Sequence, residues 1–208
     1  PAGAYAALAP DFSRFVGSCG ELKQPGDPHG VMLPLGGGVG GAPTIEVFDP
    51  LCPSCKAFED RLEASGLTEQ LERKLVLFPL DDTCNWMVGS AIHPGACDVS
   101  EAILCADGDR AAVIDWAFEH QSELGAAATA GRGGAKAMAI AAFPKLSSCM
   151  GTAAVKKRLN QSLRWAVANE IPVLTPQVYV RGKKLCDEDT DLGMDWALSR
   201  LLTLKETP

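Results

Sequence analysis

The spacing of apolar positions changes twice along the chain. From 31 to 78 short apolar runs alternate with turns, from 81 to 169 the period is helical, and from 177 short runs return. Val31 to Leu35 is a short apolar run. Pro34 within it suits an edge strand, because proline cannot donate to a ladder. Thr44 to Phe48, rich in β-branched and aromatic residues, predicts a strand that Asp49-Pro50 ends. Cys52 to Ser65 predicts a helix, with Pro53 in its first turn, Phe58 and Leu62 on one face and Gly66 just past its end. A helical turn, Thr68 to Arg73, leads into Leu75-Val76-Leu77-Phe78. Four consecutive apolar residues suit a strand covered on both faces, so 44–78 predicts a βαβ unit.

The middle of the chain reads as four helices. Asp98 and Glu101 make a capping pattern before Ala102 to Cys105. Asp109 to Glu123 sets Val113, Trp116, Ala117 and His120 on one stripe, and Gly125 to Gly134 reads as a loop. Ala135 to Phe143 is an Ala-rich helix stopped by Pro144. Thr152 to Asn169 carries Val155, Leu159, Leu163, Ala166 and Val167 at i, i+4 spacing. Gln177 to Val180 is then a strand, Arg181-Gly182-Lys183 a tight turn and Lys184 to Cys186 the returning strand. Asp187 to Thr190 is an acidic loop, and Leu192 to Leu204 a last helix. Residues 1–29 read as a turn-rich tail with one helical turn near Asp11 to Val16. The expected layout is an α/β domain of residues 30–80 and 171–206, with a helical subdomain inserted at 81–170.

Composition narrows the function classes. With 47% apolar and 22% charged residues, the 208-residue chain is not disordered. A net charge of −7 gives no electrostatic footprint for nucleic acid. The longest apolar run, Ala137 to Phe143, is far short of the roughly 20 residues of a membrane helix. Eight cysteines, an even and high number, suggest disulfides and an oxidising compartment. The chain opens at Pro1 without a basic or apolar leader. The expectation is a periplasmic or otherwise extracytoplasmic protein, with a leader trimmed or with the chain forming the soluble part of a longer, membrane-tethered one.

The sharpest chemical signal is Cys52-Pro53-Ser54-Cys55, directly after a strand and opening a helix. The free N–H groups and dipole of a helix N-terminus favour a thiolate at Cys52. One helical turn brings Cys55 behind it, able to attack a mixed disulfide at Cys52. Glu46, on the incoming strand, offers a carboxylate beneath the helix start that could exchange a proton with Cys55, or else an exposed strand residue. Thr175-Pro176 opens the later strand. A cis bond there would present the Thr175 backbone to an extended peptide, and an ordinary trans turn would not. Gly36, Gly38 and Gly41 fit a GxGxxG pattern, but a strand-like run follows where a dinucleotide site needs a helix. Zinc lacks a second ligand pair, since His29, His93 and His120 are scattered, so neither a metal nor a cofactor is expected. Asn160-Gln161-Ser162 matches a glycosylation sequon in mid-helix.

Six cysteines remain, and they allow 15 pairings. Locality favours Cys84 with Cys97 across one loop. Cys105 and Cys149 both lie at helix ends of the middle block, and Cys19 with Cys186 follows by elimination. These read as staples, with Cys84–Cys97 the pair most open to a relay role.

The strand, CxxC, helix, strand, helical insertion and Thr-Pro-strand-hairpin-helix together resemble the thioredoxin superfamily over residues 30–206. The long insertion is similar to its DsbA-like branch. The run Leu185 to Gly193 also resembles soluble domains that accompany bacterial vitamin K epoxide reductase homologues. The resemblance implies a thioredoxin-like fold and an extracytoplasmic thiol–disulfide oxidoreductase acting on protein thiols or disulfides. Cys52 would be the exposed nucleophile, Cys55 the resolving thiol and Glu46 the buried acid. Pro53, Ser54, Thr175 and Pro176 would contact substrate. For an oxidase, the resemblance further implies re-oxidation by a quinone-linked membrane partner of the vitamin K epoxide reductase or DsbB type. Pro53-Ser54 contains no histidine, and Thr before the proline resembles isomerase members. A disulfide isomerase or reductase is therefore the enzyme alternative. A disulfide-stapled peptide-binding module without redox turnover is the other.

Overall fold

The computed structural model describes residues 16–190 and 193–203. The turn expected near Asp11 falls outside the described residues except for Val16, and Leu192 and Leu204 also fall outside them. Five strands form one sheet: β1 (Leu33–Gly37), β2 (Ala42–Phe48), β3 (Leu71–Leu77), β4 (Gln177–Val180) and β5 (Lys183–Lys184). Their spatial order is β1-β3-β2-β4-β5. β2 and β3 pair in parallel, Glu46 opposite Leu75, and the other neighbours are antiparallel. The parallel pair is joined by α1 (Pro53–Ser65) and a short 3-10 turn, Thr68–Gln70. This is the βαβ unit that the unbroken apolar run of β3 predicts.

The side-chain period of 2 sorts β2 and β3 between two faces. Val47, Val76 and Phe78, with Tyr179 of β4, pack on Leu163, Trp165 and Ala166 of α6 (Ala153–Ala168). The opposite face carries Ala42, Leu71, Val178 and Val180 against Phe58 and Leu62 of α1 and against α7 (Met194–Thr203). Phe48, Leu75 and Leu77 on that face meet the helical block. A sheet covered on both sides explains why the end of β3, Leu75 to Leu77, is apolar without alternation.

Between β3 and β4 lie α2 (Ala96–Cys105), α3 (Arg110–Glu119), α4 (Gln121–Ala130), α5 (Gly134–Ala142) and α6. Five helices therefore stand where four were expected, because the stretch read as a loop is α4. The expected single helix breaks at His120, at φ −116° and ψ 22°, with its ring Nδ1 2.8 Å from the Trp116 carbonyl oxygen. Gly125 weakened the helical reading of 125–130 but sits in the α4 interior without breaking it. Asp98 is another difference. It lies inside α2, whose cap is Gly95, and accepts from the Lys136 backbone instead.

The glycine-rich loop is a packing device. A Cβ on Gly38 would lie 1.7 Å from the Glu69 carbonyl oxygen, and β2, not a helix, follows the loop. Disulfides join Cys19 to Cys186, Cys84 to Cys97 and Cys105 to Cys149. They close loops of very different length, the shortest spanning 13 residues and holding His93 between its ends. Among the described residues, no helix is long and apolar enough to cross a membrane.

Candidate active site

Cys52 caps α1 with extended backbone angles, and Pro53 occupies the first helical position, where a missing N–H costs nothing. The Cys52 N–H donates to the Asp49 carbonyl at 3.1 Å, and the Cys52 carbonyl accepts from Cys55 and Lys56 at 3.1 and 3.2 Å. The first turn thus ties both cysteines to the end of β2. Pro53 and Ser54 are exposed at the mouth of the site.

The sulfurs themselves are not exposed. Cys52 is 4% accessible and Cys55 1%, which corrects the expectation of an exposed nucleophile at Cys52. The cover is local. The Thr175 carbonyl accepts from the Cys52 thiol at 3.5 Å. Gln121, at the start of α4, reaches across to donate to the carbonyls of Pro50 and Cys52 at 3.2 and 3.0 Å. The helical block is therefore tied to the backbone before and at Cys52 through one amide side chain. The Thr175–Pro176 bond is cis, and Val173 and Leu174 just before it are exposed.

The two thiols differ in electrostatics more than in burial. A hydrogen bond from Cys55 to the Cys52 sulfur lowers the Cys52 pKa to about 6. Burial opposes this, while Thr175, the Cys55 backbone N–H and the charge of His93 assist. Burial, together with the same shared proton, pushes Cys55 well above its ordinary value. The split favours the thiolate at Cys52 and the thiol at Cys55.

Glu46 is buried, which removes the exposed-strand alternative. Its carboxylate faces α1 as expected, but it is engaged elsewhere. Oε1 and Oε2 accept from Arg73 Nε and Nη2 at 2.6 and 2.7 Å, and Arg73 also bridges to Glu59 of α1. Arg73 lies on β3 and Glu46 on β2, on the same face by register. Two carboxylates thus share one guanidinium. Burial and then the charge of Glu46 raise the Glu59 pKa to about 8. The hydrogen bonds of Glu46 run to Arg73 and place it in this charge cluster, and none runs directly to Cys55.

A second buried carboxylate lies on the residue whose backbone carbonyl holds the Cys52 N–H. Asp49, fully buried just past β2, accepts from the Leu51 and Leu80 N–H groups at 2.7 and 2.6 Å and holds His93 Nδ1 at 2.8 Å. His93 stands on the loop between β3 and α2. Burial disfavours its charged form, but the hydrogen bond and charge of Asp49, and then Cys52, outweigh this and raise its pKa. Neither residue stood out in the sequence. Asp49-Pro50 signals only the end of a strand, and His93 lies 41 positions after Cys52. The available signal was the Cys84–Cys97 pairing, which closes a loop around His93. Among the described residues, no cluster of His, Cys, Asp and Glu could hold a metal.

Comparison with solved structures places this arrangement in a known fold. The chain is similar to DsbA from Xylella fastidiosa, with a TM-score of 0.55 and 23% identity over 83% of this chain and 90% of that one. It is similar to ScsC from Proteus mirabilis, with 0.53 and 18% over 84% and 74%. It is also similar to alpha-DsbA1 from Wolbachia pipientis, with 0.55 and 12% over 85% and 92%. The fold is that of the DsbA-like thioredoxin proteins. No family model matches the chain, and no curated protein matches its sequence.

Proposed function

We propose that the protein is an extracytoplasmic thiol–disulfide oxidoreductase that exchanges disulfides with protein substrates through Cys52 and Cys55. The observation that carries this reading is the asymmetry of the pair. Cys52 sits at a helix N-terminus with its pKa lowered to about 6, and Cys55 behind it is pushed well above its ordinary value. A structural bridge has no use for such a split, whereas a nucleophile and its resolving thiol require it.

In the oxidising direction, a substrate thiolate attacks Cys52 Sγ of the Cys52–Cys55 disulfide. The S–S bond breaks, and Cys55 leaves and takes up a proton. A second substrate thiolate then attacks the substrate sulfur of the mixed disulfide and expels Cys52 as a thiolate. Two electrons have passed from the substrate dithiol to the cysteine pair. A good leaving thiol has a low pKa, so stabilising the Cys52 thiolate favours this direction over reduction. That is why oxidase is preferred here to isomerase or reductase. The exposed segment Val173–Leu174 and the backbone at Thr175 and Pro176, next to Cys52, offer an edge for an extended client. Re-oxidation by a quinone-linked membrane protein of the vitamin K epoxide reductase or DsbB type completes the cycle in this reading.

Single-cysteine variants incubated with reduced and oxidised client proteins test the roles. Cys55→Ala is expected to accumulate mixed disulfides at Cys52, and Cys52→Ala to trap far less. Equal trapping, or none by either, would overturn the reading in favour of a stapled binding module.

A further inference from the structure

Pro53 and Ser54 bring no charge to the cysteines, and the nearby cations of the α1 region are occupied. Lys56 pairs with Asp60 at 2.7 Å, and Arg73 with Glu46 and Glu59. His93 is different. Its ring is held by the carboxylate of Asp49, the residue whose carbonyl receives the Cys52 N–H. Its backbone is fixed as well. The His93 N–H donates to the Leu80 carbonyl at 3.0 Å, and the Leu80 N–H in turn donates to Asp49 Oδ2. Asp81 Oδ2 accepts from the N–H groups of Gly95 and Cys97, and the Cys84–Cys97 disulfide closes the segment. His93 and Cys52 are thus both anchored to Asp49, from two different elements.

We propose that His93, oriented by Asp49, is a positioning residue of the cysteine site that supplies the positive charge opposite the Cys52 thiolate. This rests on the redox reading above. The charged groups that act on His93 are Asp49 at the end of β2, which its ring Nδ1 contacts, and Cys52 at the start of α1, whose N–H is held by the same Asp49. With Asp49 on Nδ1, the carboxylate fixes the ring and favours the imidazolium. The imidazolium and the thiolate then support each other, so each holds the other charged over a shared pH range. The Cys84–Cys97 bridge gains a role beyond stability, because it confines the loop that presents the ring.

The test is ultraviolet absorbance of the thiolate against pH, on reduced protein with the three other disulfides intact, with Cys52→Ala to assign the step. His93→Gln is expected to move the Cys52 midpoint up by about one pH unit. Asp49→Asn should move it in the same direction by less, and His93→Lys should restore a low midpoint. A His93→Gln protein that is folded and titrates with the wild-type midpoint would overturn the proposal. A second measurement needs no variant. The NMR midpoint of the His93 ring is expected to be higher in the reduced than in the Cys52–Cys55 oxidised protein, since coupling is reciprocal. Identical midpoints in the two forms would also overturn it. A wild-type protein without any low-pH step assignable to Cys52 would bring down the redox reading itself, a result distinct from a step that is present but indifferent to His93.

Discussion

Glu46 and Asp49 are buried carboxylates three positions apart at the end of one strand, and they have been put to different uses. Glu46 points under α1 and is consumed by Arg73, in a cluster where two acids share one cation. Asp49 lies past the last ladder pair, binds two backbone N–H groups, one on each oxygen, and shares Oδ2 between the Leu80 N–H and His93. The first region neutralises charge inside the fold. The second exports charge to a sulfur. Spacing from the CxxC singles out Glu46, but reach is decided by what else competes for the carboxylate. A bidentate guanidinium fixes the Glu46 carboxylate, whereas Asp49 is held by backbone N–H groups and takes a histidine as well.

Arg73→Met should break the first region most severely. It leaves two carboxylates buried without their cation, which costs about 3–5 kcal/mol. For a chain of this size that is a fall of roughly 6–20 °C in melting temperature. Because the cluster does not touch the cysteines, the Cys52 midpoint should move by less than about half a unit. Thermal melts and thiolate titration of the same sample read both quantities.

The second region should make the reduced protein more stable than the oxidised one in a pH-dependent way. The Cys52 pKa is depressed from 9.0 to about 6, so its contribution is fully present above the unfolded value and is lost as pH falls through about 6. Three units correspond to at most about 4 kcal/mol. The Cys52–Cys55 disulfide closes a very small loop and constrains the unfolded chain little in return. Melts of both redox forms should therefore diverge from pH 5 to 8 and converge in acid. A constant gap across that range would contradict the assignment.

Replacing Cys84 and Cys97 together by Ala should link the regions of loop and site. Opening a 13-residue separation costs about 3 kcal/mol in chain entropy. The Cys52 midpoint should rise as well, by less than in His93→Gln, because the ring is no longer confined. The same double change at Cys105 and Cys149 should lower stability and leave the midpoint where it was. Equal midpoint shifts in the two double variants would remove the special status of the His93 loop.

The smallest effect belongs to Glu59. Its folded pKa is raised to about 8, so its contribution is present below about 4.5 and is lost as pH rises through 8. Glu59→Gln should keep stability near wild type at pH 4 and improve it by a few degrees at pH 9. Glu46→Gln should shift that loss to lower pH and make it smaller. It weakens the anchor on Arg73, but it also removes the charge that repels the Glu59 carboxylate.

Much of this was legible before any coordinates. The unbroken run Leu75 to Phe78 demands cover on both faces, and proline after Cys52 marks a helix start, so the βαβ unit and the position of the cysteine pair follow from local pattern. The boundary errors have local causes too. An Ala-rich stretch with one glycine is helical once tertiary packing supports it, and α4 is that case. What pattern could not reach is pairing across the chain. Arg73 is an ordinary strand residue until the parallel register puts it on the face of Glu46. His93 is one of three scattered histidines until a disulfide and Asp49 hold it, and the Gln121 bonds to the Pro50 and Cys52 carbonyls come from a helix outside the expected pattern.

The account's central claim is that Cys52 and Cys55 form an oxidising redox pair. Equilibration of the purified protein with defined ratios of reduced and oxidised glutathione, read by mass spectrometry of the 52–55 peptide, tests it directly. The account predicts a reduction potential more oxidising than about −200 mV, toward the range of strong oxidants. A value near or below about −270 mV, the range of a thioredoxin-type reductant, would contradict it.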